Sequence, residues 1–245
     1  VTALPPAEAS ESWLAPVATI PVRGRVTVPA FLGRPSAGRV DPADAVVFLA
    51  AAAVTTGTVL VRNWPGVVCG TDPVSVTADL ARTSLAAMGA YLVRTEEGLT
   101  CTSRASSGEL TGLEVDLTNG PGLGPTFAVL AALSRTPSVL RGLPTALGER
   151  LCTNLLALGG RAVWDRGVLQ IDPGELRAGV WRSSGDHRMA TAAAVIGLRV
   201  DGVLIDDIAC LRRDLPRFLD AWTYLMAQDA HLLPGTTESA SSANP

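Results

Sequence analysis

Lysine is missing altogether: all 20 basic residues of this 245-residue chain are arginine. Chemistry that needs an ammonium is thereby excluded, whether a Schiff base, a lysine general base or the lysine of a Walker loop. Histidine is nearly as scarce, with only His187 and His231. The four cysteines, at 69, 101, 152 and 210, are never closely spaced. Structural zinc needs clustered Cys and His ligands, so neither a metal nor another cofactor is expected. Dispersed thiols in a chain of this size read as reduced, buried cysteines of a cytoplasmic protein. The longest apolar run, Ala45 to Val54, is about half a membrane span. The start, Val1 to Pro16, lacks the cationic region of a secretory signal. A net charge of −3 argues against nucleic-acid or anionic-membrane partners held by bulk charge. What is abundant is apolar: 47% hydrophobic against 18% charged residues excludes a disordered chain and supplies a sizeable core.

One pattern recurs three times. Residues 43–65, 125–144 and 187–208 each hold a short helical stretch that is apolar on nearly every side, then a turn, then a Val/Leu-rich strand. A helix apolar all round must be enclosed by protein, so three of them should pack together at the centre. Each is followed by an amphipathic helix, over 75–89, 147–160 and 212–227. The first two of these end at Gly89 and Gly159, as helix C-termini prefer. Hairpins then follow in AYLVRTEEGLTCTS and RAVWDRGVLQIDP, with EEG and DRG as turns. Leading strands are expected in GRVDP, LEVDLT and GVWRS.

The reading is an α/β (α+β) fold: one domain of three βαβαββ repeats, with buried central helices and sheets outside. Repeats are expected at about 38–103, 112–172 and 179–228. The third lacks its hairpin, and residues 18–29, ATIPVRGRVTVP, are expected to complete it. The domain would then run over 18–228, between a flexible segment at 1–17 and a disordered polar tail at 229–245.

Three such units look like one globular half of the enolpyruvyl transferases. The segment Gly185-Asp186-His187-Arg188-Met189-Ala190 resembles the DHRMA signature of the 5-enolpyruvylshikimate-3-phosphate (EPSP) synthase family, and Ile205 to Pro216 follows at the family's spacing. IPVRGRVTVP resembles the family's N-terminal strands, and VDPADAVVFLAAAAVTTGTVLVRNWP the start of its last three-fifths. The likeness covers about residues 13 to 228. Family members close two such domains around shikimate 3-phosphate and phosphoenolpyruvate. Here the chain passes from VTVPAFLGRPS directly to the later block, so the other domain is not seen.

The resemblance implies site residues and also shows departures. Arg188, Arg150 and Arg213 match positions that contact phosphoenolpyruvate, with Arg212 and Glu149 beside them. Arg213 stands where the family has a lysine. Of the family's Lys/His-Glu-Thr-Asp-Arg-Leu element, only Gly148-Glu149-Arg150-Leu151 remains. The acidic general base falls within Asn119 to Gly124, which holds no carboxylate here. Arginine grips carboxylate or phosphate through parallel hydrogen bonds without offering a proton.

From the residues themselves, Asp186 reads as an N-cap with His187 and Arg188 in the first helical turn, where an anion can settle. His187 is the one imidazole placed for acid–base work. The helix start is expected to lower its pKa. His187 and Asp186 are therefore the catalytic candidates. The same residues also fit a structural turn. Asp206 and Asp207 end a strand facing the same region. Gly120 to Gly124 reads as a permissive turn, and Trp64 as exposed in a turn.

Three functions follow. The first is an enzyme of specialised metabolism acting on an anionic or enol-type small molecule by addition, elimination or cyclisation at an arginine-lined pocket. The second is carboxyvinyl transfer completed by a partner subunit or a second copy. The third is a non-catalytic ligand-binding or scaffold protein. Autonomous EPSP synthase activity is not expected, because the base and the lysines are lacking.

Overall fold

The computed structural model describes residues 40–66, 72–103 and 109–227, together with the backbone of short strands at 15–16 and 25–28. Three central helices are α1 (Pro42–Val54), α3 (Gly124–Ala132) and α5 (His187–Ile196). All of α3, all of α1 except Asp44, and α5 from Met189 onward are buried. The three pack on one another, as their lack of any polar face demands. Each starts differently. Asp41 caps α1 by accepting from the Ala43 amide (2.9 Å), with Pro42 just inside the helix. Asp186 caps α5 by accepting from the Arg188 amide (2.9 Å). The start of α3 has no side-chain cap and is entered through a single 3-10 turn, Pro121–Leu123.

Each helix carries a sheet. The first holds β2 (Arg25–Val28), β3 (Thr58–Arg62), β5 (Gly98–Ser103) and β4 (Ala90–Arg94), in that order. The second repeats it with β6 (Glu114–Asp116), β7 (Ser138–Arg141), β9 (Val168–Asp172) and β8 (Arg161–Asp165). In both, a parallel pair leads and an antiparallel hairpin closes. The hairpin turn of the second sheet places Arg166 and Gly167 at φ +45° and +83°, the left-handed pair a two-residue turn requires. In the first sheet, Gly98 passes so close to the Val61 carbonyl that a Cβ would overlap it.

The third sheet holds β1 (Ala15–Pro16), β11 (Val203–Ile205) and β10 (Gly179–Trp181). An N-terminal strand does join it, antiparallel to β11. That strand lies at 15–16, inside the segment expected to be flexible. The other N-terminal strand, β2, pairs with β3 and takes the leading place expected for GRVDP. The correction has a simple cause: Val40-Asp41-Pro42 is a helix cap, and proline cannot donate within a sheet. The rest of 1–39 and the tail 228–245 lie outside the described residues, as does Cys69.

Amphipathic helices α2 (Pro73–Ala87) and α4 (Thr145–Ala157) cover the first two units. The single helix expected over 212–227 is instead two, α6 (Ala209–Asp214) and α7 (Phe218–Ala227). Pro216 explains the break, since it forces the preceding Leu215 out of the helical region (φ −129°, ψ 65°). Phe218 and Trp222 of α7 pack on Phe48 of α1, with ring centroids 5.4 and 5.8 Å away. The last helix is thereby tied to the first. Asn154 of α4 bonds both ways to the Arg182 backbone (2.7 and 3.0 Å), pinning the second unit to the third. Trp64 is buried rather than exposed, and Arg94 donates to its carbonyl at 3.1 Å.

Candidate functional site

The starts of α1 and α5 meet, and the charged residues there form one network. Arg188, in the first turn of α5, reaches across to α1: Nε donates to Asp44 Oδ1 (2.8 Å) and Nη2 to Asp41 Oδ2 (2.9 Å). His187 Nε2 lies 3.1 Å from the same Asp44 oxygen, and its Nδ1 lies 3.5 Å from Asp214 Oδ2 of α6. Arg213 pairs with Asp214 (2.9 Å) and donates to the Gly185 carbonyl (3.0 Å). Arg150 of α4 comes within 3.6 Å of Asp186. The start of α3 supplies space rather than charge. A Cβ on Gly122 would stand 3.1 Å from the Ala43 Cβ and 3.3 Å from the Arg188 guanidinium carbon.

Five of the seven residues singled out from sequence are thus assembled in one place: Asp186, His187, Arg188, Arg150 and Arg213. Glu149 and Arg212 are exposed and take no part in this network. Asp206 is a structural residue, accepting from the Ser183 amide (2.7 Å) and hydroxyl (2.8 Å) and holding the turn before α5. Asp207 accepts from the Ala209 amide (2.8 Å) just before α6.

Electrostatics reverse one expectation. The His187 pKa is raised above 6.5, because the hydrogen bond that its Nε2 donates to the Asp44 carboxylate favours the imidazolium. Burial and the nearby Arg188 oppose this and do not win. The Asp214 carboxyl is held below its usual range, chiefly by its hydrogen bond from Arg213. Burial pushes the Cys101 and Cys210 thiols up to about 12 and about 11, so neither is poised as a thiolate. Among the described residues no group of three or more His, Cys, Asp or Glu side chains could hold a metal ion, and no helix is long and apolar enough to cross a membrane.

Sequence reasoning missed Asp41, Asp44 and Asp214. A signal for the first two was present: Asp-Pro-x-Asp before an apolar run marks a helix start, and the repeat makes Asp41 the counterpart of Asp186. The pairing itself depends on which helix starts meet, and no local pattern carries that.

Comparison with known proteins agrees with the architecture. The family model for EPSP synthase (3-phosphoshikimate 1-carboxyvinyltransferase) matches residues 39–222. The 3-phosphoshikimate 1-carboxyvinyltransferase of Kocuria rhizophila is 37% identical over 195 residues, which are 77% of this chain and 42% of that protein. The Tropheryma whipplei protein of the same description is 34% identical over 190 residues, 75% of this chain and 41% of the relative. Among solved structures, EPSP synthase from Acinetobacter baumannii aligns with a TM-score of 0.60 at 21% identity, over 75% of this chain and 44% of that one. The enolpyruvyl transferase NikO from Streptomyces tendae aligns at 0.55 and 19% identity, over 76% and 43%. The chain spans less than half the length of the relatives it matches. With its three βαβ-based units, its buried helices and its GDHRMA turn, the chain belongs to the EPSP synthase family.

Proposed function

We propose that this chain binds an anionic or enol-type small molecule at the cluster where α1, α3 and α5 begin, and acts on it by addition, elimination or cyclisation. The observation that carries this reading is the gathering of Arg188, Arg150 and Arg213 around His187, from three different helices and beside a cap-free helix start. Guanidinium groups there offer paired donors to a carboxylate or phosphate. His187 is the group that moves a proton, since it alone among them exchanges one near neutral pH. Asp186 serves that step indirectly, because its oxygens are spent on the α5 cap and on Arg150.

The lost base and lysines speak against autonomous EPSP synthase chemistry. A second reading, transfer of a carboxyvinyl group in a cleft completed by another polypeptide or a second copy, draws on membership of the family. Two measurements separate them. Titration of phosphoenolpyruvate against wild type and Arg188→Ala should show binding that the variant loses; equal affinities would remove the site. Purified protein given phosphoenolpyruvate and shikimate 3-phosphate should release no phosphate. Release by a monomer in light scattering would overturn the first reading, and release only with an added partner would favour the second.

A further inference from the structure

The donors that an incoming anion would use are already engaged by the protein. One oxygen of Asp44 lies on both Arg188 Nε (2.8 Å) and His187 Nε2 (3.1 Å), and Asp41 takes Arg188 Nη2 (2.9 Å). Asp44 is no loose surface partner. Its side chain is 16% exposed, less than the 31% of Arg188 or the 20% of His187, so the carboxylate lies inside the residues it contacts. Gly122 stands beside the guanidinium, where even a Cβ would come within 3.3 Å of it. The balance of charge points the same way. Four carboxylates (Asp41, Asp44, Asp186 and Asp214) face three guanidiniums (Arg150, Arg188 and Arg213), so only a protonated His187 brings the cluster to neutrality. A cluster so balanced is not an open well for anions.

We infer that Asp44 is a specificity-determining residue that competes, from within the chain, for the donors of Arg188 and His187 and so discriminates against simple anions. This rests on the anion-site reading of the same cluster. A ligand enters by displacing Asp44 from those donors, or by bringing a hydrogen-bond donor of its own to satisfy it. The first unit thus controls access to the signature turn of the third. The physical reason is short-range repulsion: a second anion placed on Arg188 would sit close to the Asp44 charge, and a half-buried carboxylate is poorly screened by salt.

The test is sulfate binding by calorimetry to the full chain, as wild type, Asp44→Asn, Arg188→Ala and the double variant. Asparagine keeps the size of the side chain and an oxygen acceptor for Arg188 Nε while removing the charge. Asp44→Asn should bind sulfate roughly tenfold more tightly than wild type, the size expected when a nearby like charge is removed, and the double variant should lose that gain. Asp41→Asn provides a second variant that leaves the α1 interior untouched. Its gain should be smaller, because Asp41 is 50% exposed and meets Arg188 only at Nη2, its other oxygen capping α1. Should Asp44→Asn and Asp41→Asn both bind sulfate no better than wild type, while Arg188→Ala abolishes binding, the inference is overturned and the anion site stands. If no variant binds sulfate at all, the anion site itself fails, and this inference with it.

Discussion

The starts of α1 and α3 occupy the same place in their units and are built in opposite ways. Both lead into buried apolar helices that touch at the centre. The first opens with Asp41-Pro42 and keeps a second carboxylate, Asp44, in its first turn. The other opens with Gly120-Pro121-Gly122 and has no side chain capping it. The interior of a repeat is fixed by the need to bury apolar surface, whereas the residues at its entrance, Asp41 and Asp44 in one unit and Pro121 and Gly122 in the other, keep some exposure and are free to differ. Unit one contributes charge, unit two contributes room, and unit three contributes the His187-Arg188 pair that uses both.

If the interiors are equivalent, Phe48→Ala in α1 and Phe127→Ala in α3 should each cost about 3–5 kcal/mol in chemical denaturation, since both rings are fully buried. One tolerant site would break the equivalence. The glycine start comes next in size. Gly122→Val should cost about 1–3 kcal/mol by crowding and should push Arg188 off its carboxylates, because the first added carbon already meets Ala43 and the guanidinium. A variant as stable as wild type would show that the space at α3 is not used. The caps should be worth less: Asp41→Ala and Asp186→Ala should each cost about 1 kcal/mol, and α3 offers no residue whose removal does the same.

Smallest is a pH effect confined to the meeting of units one and three. With its pKa raised in the fold, His187 contributes stability that is fully present below its ordinary value of 6.5 and is lost as pH rises through the raised folded value. His187→Gln should flatten that slope in melting curves taken across this range, and an unchanged slope would assign it to other groups.

Much of this was legible before any coordinates. The all-round apolar segments announce buried helices. Gly89 and Gly159 mark helix ends and take φ of +100° and +79°, as such ends require. The DRG turn likewise announces its hairpin. At two places where reading by pattern failed, a proline decided the outcome. Pro42 turned an apparent strand into a cap, and Pro216 divided one helix into α6 and α7. The site was half legible. The GDHRMA turn and its arginines stand out in the sequence, but their carboxylate partners lie 144 and 147 residues away along the chain. Only the packing of the units brings Asp44 and Asp41 to them, which is also why His187 was expected to be neutral at a helix start and is instead favoured as the imidazolium.

That contact between Asp44 and His187 underlies the whole account of the site, and a nuclear magnetic resonance titration of the imidazoles tests it. Only two histidines contribute signals, so His187 is readily told from His231. His187 should titrate above 6.5 in the wild-type chain and fall back toward or below it in Asp44→Asn. A His187 that titrates at or below 6.5 in wild type, unmoved by Asp44→Asn, would contradict it.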